Sequence, residues 1–153
     1  MVKLQIIKLM LLDQWAWIKD RKHVRIIDDT YNANPSSTSA AINTLKEYTG
    51  TKILVLGDMR ELGPDGKSLH IKIGELAKQS HIDYLFTYGE LTEHTTHAFG
   101  VNAKHFTDQE ALVTALKPFL KPNTTVLIKG SRYMRMEKVL DKIVPETANA
   151  HSH

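Results

Sequence analysis

Three polar segments of this chain each follow a short apolar run, and each carries groups able to hold a ligand. Residues 28–35 read Asp-Asp-Thr-Tyr-Asn-Ala-Asn-Pro after Val24, Ile26 and Ile27. Residues 57–63 read Gly-Asp-Met-Arg-Glu-Leu-Gly after the run 53–56, and residues 129–132 read Lys-Gly-Ser-Arg after the run 126–128. A carboxylate at a strand end can accept both hydroxyls of a ribose, and Asn32 and Asn34 offer amides either to a polar ligand or to the cap of a following helix. Asp28 and Asp29 are neighbours, so in an extended strand they point to opposite faces and do not make a paired general acid and base; one of them serves structure. Lys129, Ser131 and Arg132 surround Gly130 in a turn that predicts an anion site. Arg132 would fork onto a carboxylate or phosphate, Lys129 would add a point charge, and backbone N–H groups would face outward. Surface cations flanking a tight turn are the alternative reading.

Other chemistries fare worse. The chain has no cysteine, so it has neither disulfides nor a thiolate nucleophile, which fits a reducing cytoplasm. Gly66-Lys67-Ser68 ends like a phosphate loop, but the position five before Gly66 is Glu61, so the Gly-x-x-x-x-Gly-Lys-Ser/Thr spacing fails, and Asp65 would repel phosphate. The eight histidines are scattered, and His94 and His97 lack a third ligand, which argues against metal catalysis. No Gly-x-Ser-x-Gly elbow is present.

The elements that must position the three segments follow from periodicity. Trp15, Trp17 and Lys19 alternate with Ala16 and Ile18, and residues 20–22 separate them from 24–27, which predicts an opening hairpin. Pro35 begins a helix with Ala41, Leu45 and Tyr48 on one face, stopped at Gly50. A strand over 52–56 precedes a helix capped by Ser68 and lined by Leu69, Ile73, Leu76 and Ala77. Residues 84–88 read as a strand, 90–99 is ambiguous, and 104–106 is a weak strand. Thr107 and Glu110 make a capping box for a helix bearing Leu112, Leu116, Phe119 and Leu120. A last strand over 124–128 leads to a helix bearing Met136, Val139, Leu140 and Ile143. The alternation predicts an α/β, Rossmann-like, mostly parallel sheet with helices on both faces, preceded by a β-hairpin. In such a sheet the strand carboxyl ends share one edge, so the three polar segments should converge there.

At 153 residues, 42% hydrophobic and 24% charged, the chain fits one globular domain. The net charge of +3 is small, and its one tight basic group, Lys19, Arg21, Lys22 and Arg25, has no interleaved aromatics, which argues against nucleic acid as a partner. Residues 1–12 are apolar but broken by Lys3, Gln5 and Lys8 and are far too short for the ~20 residues of a membrane span; they read as a packing helix or a leader. Residues 145–153 lack apolar periodicity and read as a frayed tail.

Together, the motif at 28–35, the motif at 57–63 with His70 and Gly74 after it, and Lys129-Gly130-Ser131-Arg132 with Met136-Glu137 resemble the C-terminal domain of Mur ligases, closest to the type that adds D-alanyl-D-alanine. The resemblance covers about residues 14–144, leaving 1–13 as an atypical lead-in without the family's Pro-Gly-Arg, and 145–153 as the tail. It implies a cytoplasmic, ATP-dependent amide-forming ligase of peptidoglycan synthesis. There, ATP phosphorylates a UDP-N-acetylmuramoyl-tripeptide carboxylate, which the amine of D-alanyl-D-alanine attacks. By position, Asp29 would contact the ATP ribose, and Tyr31, Asn32 and Asn34 would line the adenosine or dipeptide side. Lys129, Ser131 and Arg132 would lie near the dipeptide, with Asp58 and Glu61 orienting that site.

The resemblance also implies that the ATP phosphates and magnesium are held by a central domain, and the UDP-sugar by an N-terminal domain, neither with a counterpart in these residues. The chain alone is then expected to be inactive. A stand-alone nucleotide- or dipeptide-binding module is the rival reading, and a small phosphate-handling enzyme built on Lys67 is a third.

Overall fold

In the computed structural model, residues 24–143 are described in full, and 4–11 and 14–21 are described by their backbone. The expected frayed tail at 145–153 lies outside the described residues.

Seven strands form one sheet in the order β1-β2-β3-β7-β4-β5-β6. β1 (Leu4–Leu11), β2 (Gln14–Arg21) and β3 (Val24–Asp29) are joined antiparallel. From β3 onward the sheet is parallel, through β7 (Thr124–Lys129), β4 (Thr51–Gly57), β5 (Tyr84–Tyr88) and β6 (Ala103–Phe106). The predicted hairpin is the β2–β3 pair. The helix or leader expected over 1–12 is corrected: Leu4–Leu11 is a strand paired along its length with β2. Apolar spacings in this run suit a helix as well as a strand, and the antiparallel partner that satisfies its backbone decides for the strand.

The central parallel strands β7 and β4 are buried on both faces, and alternate residues sort between two cores. Ile27, Leu54, Leu56, Leu85 and Leu127 pack with Ala41, Ile42 and Leu45 of α1 (Pro35–Leu45), Ile73 and Ala77 of α2 (Gly66–Gln79), and Phe99 of α3 (Thr92–Phe99). Ile26, Ile53, Val55, Phe86, Val126 and Ile128 pack on the opposite face with Leu112, Val113 and Leu116 of α4 (Gln109–Leu116) and with Val139, Leu140 and Ile143 of α5 (Glu137–Ile143). The α/β architecture with helices on both faces is thus as the alternation predicts.

Helix starts differ in detail. α1 is capped by Asn34 in a reciprocal capping box with Ser37, and Pro35 follows in the first turn. α2 starts at Gly66, directly after a 3-10 turn at Gly63–Asp65, so Ser68 lies inside its first turn and bonds the Asp65 carbonyl instead of capping. The cap of α4 is Asp108 rather than Thr107, its carboxylate accepting from the Ala111 N–H at 2.8 Å. The ambiguous stretch at 90–99 contains α3.

Candidate functional site

The strand register brings two of the three polar segments side by side. Asp29 and Lys129 are directly paired residues at the ends of β3 and β7, and Leu56 of β4 sits opposite Lys129 on the other side. By the alternation of each strand, both side chains extend the Ile27 and Leu127 rows on the α1 face. The Lys129 ammonium lies 2.9 Å from the Asp29 carboxylate and donates to the Asn32 carbonyl at 2.9 Å, so it also fixes the path of the 28–35 segment. Both side chains are 0% exposed. Burial pushes the Asp29 carboxyl up to about 6 against the pull of Lys129, and it draws the Lys129 ammonium down against the pull of Asp29. Among the described residues, Asp29 Oδ1 has no hydrogen-bond partner.

This corrects the expected placement of two residues. Lys129 is not an outward point charge for an anion, and the Asp29 carboxylate is closed off from a ribose as long as the pair stands. Asp28, on the opposite face, accepts from the Thr30 hydroxyl at 2.8 Å, so neither aspartate pairs with the other.

The Lys129–Arg132 turn is also more occupied than its sequence suggests. A Cβ on Gly130 would lie 2.6 Å from Met136 Cγ and 3.2 Å from Gly57 Cα, so this glycine lets the ends of β7 and β4 close on each other rather than admitting a ligand. The Ser131 N–H donates to the Asp58 carbonyl at 3.1 Å instead of facing outward. The Ser131 hydroxyl is buried and has no hydrogen-bond partner among the described residues.

The Asp58 side chain is likewise engaged within the protein. It is buried, and its carboxylate accepts from the backbone N–H groups of Glu90, Leu91 and Thr92 at 2.9–3.1 Å, which caps α3 from another strand end. Gly89, at φ +130°, makes room: a Cβ there would sit 2.3 Å from the Asp58 carboxylate. Asp58 therefore positions a loop and has little left for a ligand's ammonium group. Glu61 is exposed, with a left-handed backbone at φ +60°.

What faces solvent at this edge is a set of arginines and tyrosines. Tyr31 is 64% exposed and Tyr133 is 70% exposed. The Arg132 guanidinium lies 5.7 Å from the Tyr31 ring centroid, and that of Arg60 lies 4.0 Å from the Tyr133 ring. Two Arg–Tyr contacts therefore link the first segment to the third, and the second to the residue that follows the third. Arg132, Tyr133, Arg135 and Glu137 line an open groove of about 800 Å³. Asn32 and Asn34 are exposed, although the Asn34 side-chain oxygen is taken by the helix cap and that of Asn32 by the Ala33 N–H. The sequence reading missed Arg60, Tyr133 and Arg135. Arg60 lies inside a motif that was noted for its acids, and Tyr133 and Arg135 lie just beyond the turn. A groove lined by two arginines and a tyrosine, with Glu137 as its one acid, suits a carboxylate or phosphate carried on an organic body.

No group of three or more His, Cys, Asp or Glu among the described residues could hold a metal ion, and no described helix is long and apolar enough to cross a membrane.

Comparison with known proteins agrees with this fold. The family model for the Mur ligase, glutamate ligase domain matches residues 15–132. UDP-N-acetylmuramoyl-tripeptide--D-alanyl-D-alanine ligase of Buchnera aphidicola subsp. Acyrthosiphon pisum (strain APS) is 44% identical over 124 residues, which are 80% of this chain and 27% of the relative. The protein of the same name from Escherichia coli (strain K12) is 41% identical over 117 residues, 75% of this chain and 26% of the relative. The solved MurF ligase from Thermotoga maritima in complex with ADP is similar with a TM-score of 0.75 at 30% identity, covering 82% of this chain and 29% of that one. The chain spans about a quarter of the length of these curated relatives.

Proposed function

This chain belongs to the Mur ligase family, as its glutamate ligase domain, and on that premise we propose that it is the C-terminal closing domain of an ATP-dependent ligase joining D-alanyl-D-alanine to UDP-N-acetylmuramoyl-tripeptide in cytoplasmic peptidoglycan synthesis. The observation that carries the reading is the cationic, aromatic edge where Tyr31, Arg60, Arg132, Tyr133 and Arg135 meet at the strand carboxyl ends. Its chemistry fits the carboxylate of a dipeptide and the phosphates and base of a nucleotide. The names of the relatives, one of them solved with ADP, supply the substrate class.

In this reading Arg132 grips the dipeptide carboxylate from the groove, with Ser131 beside it, and Glu61 stands at the rim. Tyr31, Asn32 and Asn34 present the 28–35 segment to the adenosine side. Asp29 and Lys129 act from beneath: their ion pair holds that segment in place, and either group reaches a ligand only if the pair opens. Asp58 keeps the neighbouring β5–α3 loop in shape. Magnesium and the ATP phosphates would be held by the other domains of the ligase, since the chain has no complete phosphate-loop spacing. By itself the chain is inactive.

The test is ADP release from the separately expressed N-terminal and central domains of such a ligase, supplied with ATP, UDP-N-acetylmuramoyl-tripeptide and D-alanyl-D-alanine. Turnover that depends on the dipeptide and appears only when this chain is added supports the proposal. No turnover with the folded chain present refutes it.

A further inference from the structure

The turn that carries Arg132, Tyr133 and Arg135 holds a backbone conformation its sequence does not favour. Residues Arg132–Met134 form one 3-10 turn, and Arg135 follows in the left-handed region at φ +52°, ψ +46°. A non-glycine residue there is uncommon and needs support from its surroundings. Within the turn, the Met134 N–H bonds the Ser131 carbonyl at 2.9 Å, and the Arg135 N–H bonds the Arg132 carbonyl at 3.2 Å.

The Arg135 carbonyl accepts the Lys138 N–H of α5 at 3.0 Å, and further support comes from α4. The side-chain amide of Gln109, at the first position of that helix, donates from Nε2 to the Met134 carbonyl at 3.0 Å and to the Arg135 carbonyl at 3.2 Å. Both acceptors are carbonyls, so only the NH2 end of the amide can face them. Gln109 has its own anchor, because α4 is capped by Asp108 and buries Leu112, Val113 and Leu116 against the sheet. A single side chain on a capped, packed helix thus bridges the carbonyls on either side of the Arg135 Cα, at the point where the turn becomes left-handed.

We infer that Gln109 is a positioning residue: its two donated hydrogen bonds lock the Arg132–Arg135 turn and so set where the guanidinium groups of the groove point. Gln109 touches no ligand in this assignment. It acts through the turn, and displacement of a binding group by about 1 Å is enough to cost up to ~10²-fold in an enzyme. The kinetic part of this inference rests on the function proposed above; the conformational part does not.

Two variants separate donation from packing. Gln109→Glu keeps the length and shape but has no N–H to donate when ionised, and Gln109→Ala removes both. NMR relaxation on the chain itself should show Met134 and Arg135 rigid in the wild type, with order parameters near ~0.85. In both variants they should fall below about 0.6 while α4 stays ordered. In the reconstituted ligase, both variants should raise the KM for D-alanyl-D-alanine about tenfold and leave the KM for ATP unchanged. A Gln109→Glu chain with a rigid turn and wild-type KM values would overturn the inference, because a packing role alone survives that substitution. If the wild-type chain supports no turnover, the functional proposal falls, and the order parameters of Gln109→Glu alone decide the role of Gln109.

Discussion

Asp29 and Lys129 stand 100 residues apart in sequence and 2.9 Å apart in space, both 0% exposed, as the terminal residues of two adjacent parallel strands. Burial opposes ionisation of both, yet each is the other's compensation, and the Lys129 ammonium also bonds the Asn32 carbonyl. Removing one partner of such a pair leaves an uncompensated buried charge, whereas removing both with apolar replacements of similar size is often tolerated. Asp29→Ala or Lys129→Met should each destabilise the chain by about 3–5 kcal/mol, and the double variant by clearly less than the sum. Urea unfolding of the four proteins measures this, and additive losses would mean that the pair does not couple.

Two buried titratable groups should pull stability in opposite directions with pH. His70 is buried, donates from Nδ1 to the Gly66 carbonyl at 2.7 Å and accepts the Met59 N–H on Nε2 at 3.1 Å, which requires the neutral ring. Burial holds its pKa below the ordinary 6.5, although the Gly66 bond acts the other way. With the folded value depressed, its stabilising contribution is complete above pH 6.5 and is lost as pH falls through the folded value. Asp29 is raised from 3.8 to about 6, so the part of its contribution that comes from proton binding is complete below pH 3.8 and is lost as pH rises through about 6, separately from what its pairing with Lys129 contributes. The stability difference between wild type and His70→Ala should therefore shrink on acidification below pH 6.5. That between wild type and Asp29→Asn should shrink as pH rises from 3.8 towards 6. Urea titrations at a series of pH values read both slopes, and a pH-independent difference in either would remove that group.

Asp58 caps a helix that begins 34 residues later. Asp58→Ala leaves the N–H groups of Glu90, Leu91 and Thr92 without their acceptor and should cost about 2–3 kcal/mol. Amide hydrogen exchange gives the local signature: faster exchange at those three residues, with the β7 amides little changed. Protection at 90–92 equal to wild type would show that another group caps α3.

Arg132 is the guanidinium of the turn that touches Tyr31, and in the proposed ligase it holds a carboxylate. A charge-assisted hydrogen bond contributes about 1.5–3 kcal/mol, so Arg132→Ala should raise the KM for D-alanyl-D-alanine roughly 10- to 100-fold while the KM for ATP stays level. ADP release as a function of dipeptide concentration in the reconstituted enzyme reads it. Unchanged dipeptide kinetics would take Arg132 out of the site.

The amino-acid sequence determined the layers of this protein by itself. Short apolar runs such as 53–56 and 126–128, with helical faces such as Ala41 and Leu45 or Val139, Leu140 and Ile143 between and after them, specify a parallel sheet covered on both sides, because period and burial are local properties of the chain. That pattern also placed the three polar segments at strand ends, and their residues carried the family resemblance.

What the tertiary structure decided were the partners. Whether Asp29, Lys129 and Asp58 face a ligand or the protein depends on which strands become neighbours, and the register puts a carboxylate against an ammonium and another carboxylate against the start of α3. The start of α3 was illegible for that reason, since its cap is Asp58, just past the end of β4, and not one of the residues before it. Residues 4–11 became a strand through pairing with β2, a contact that no local period encodes. The Arg60–Tyr133 stack and the Gln109 amide on the Arg132–Arg135 turn likewise join segments distant in sequence. Side chains take the closest group that satisfies their charge and hydrogen bonds, and only the assembled sheet determines which group is closest.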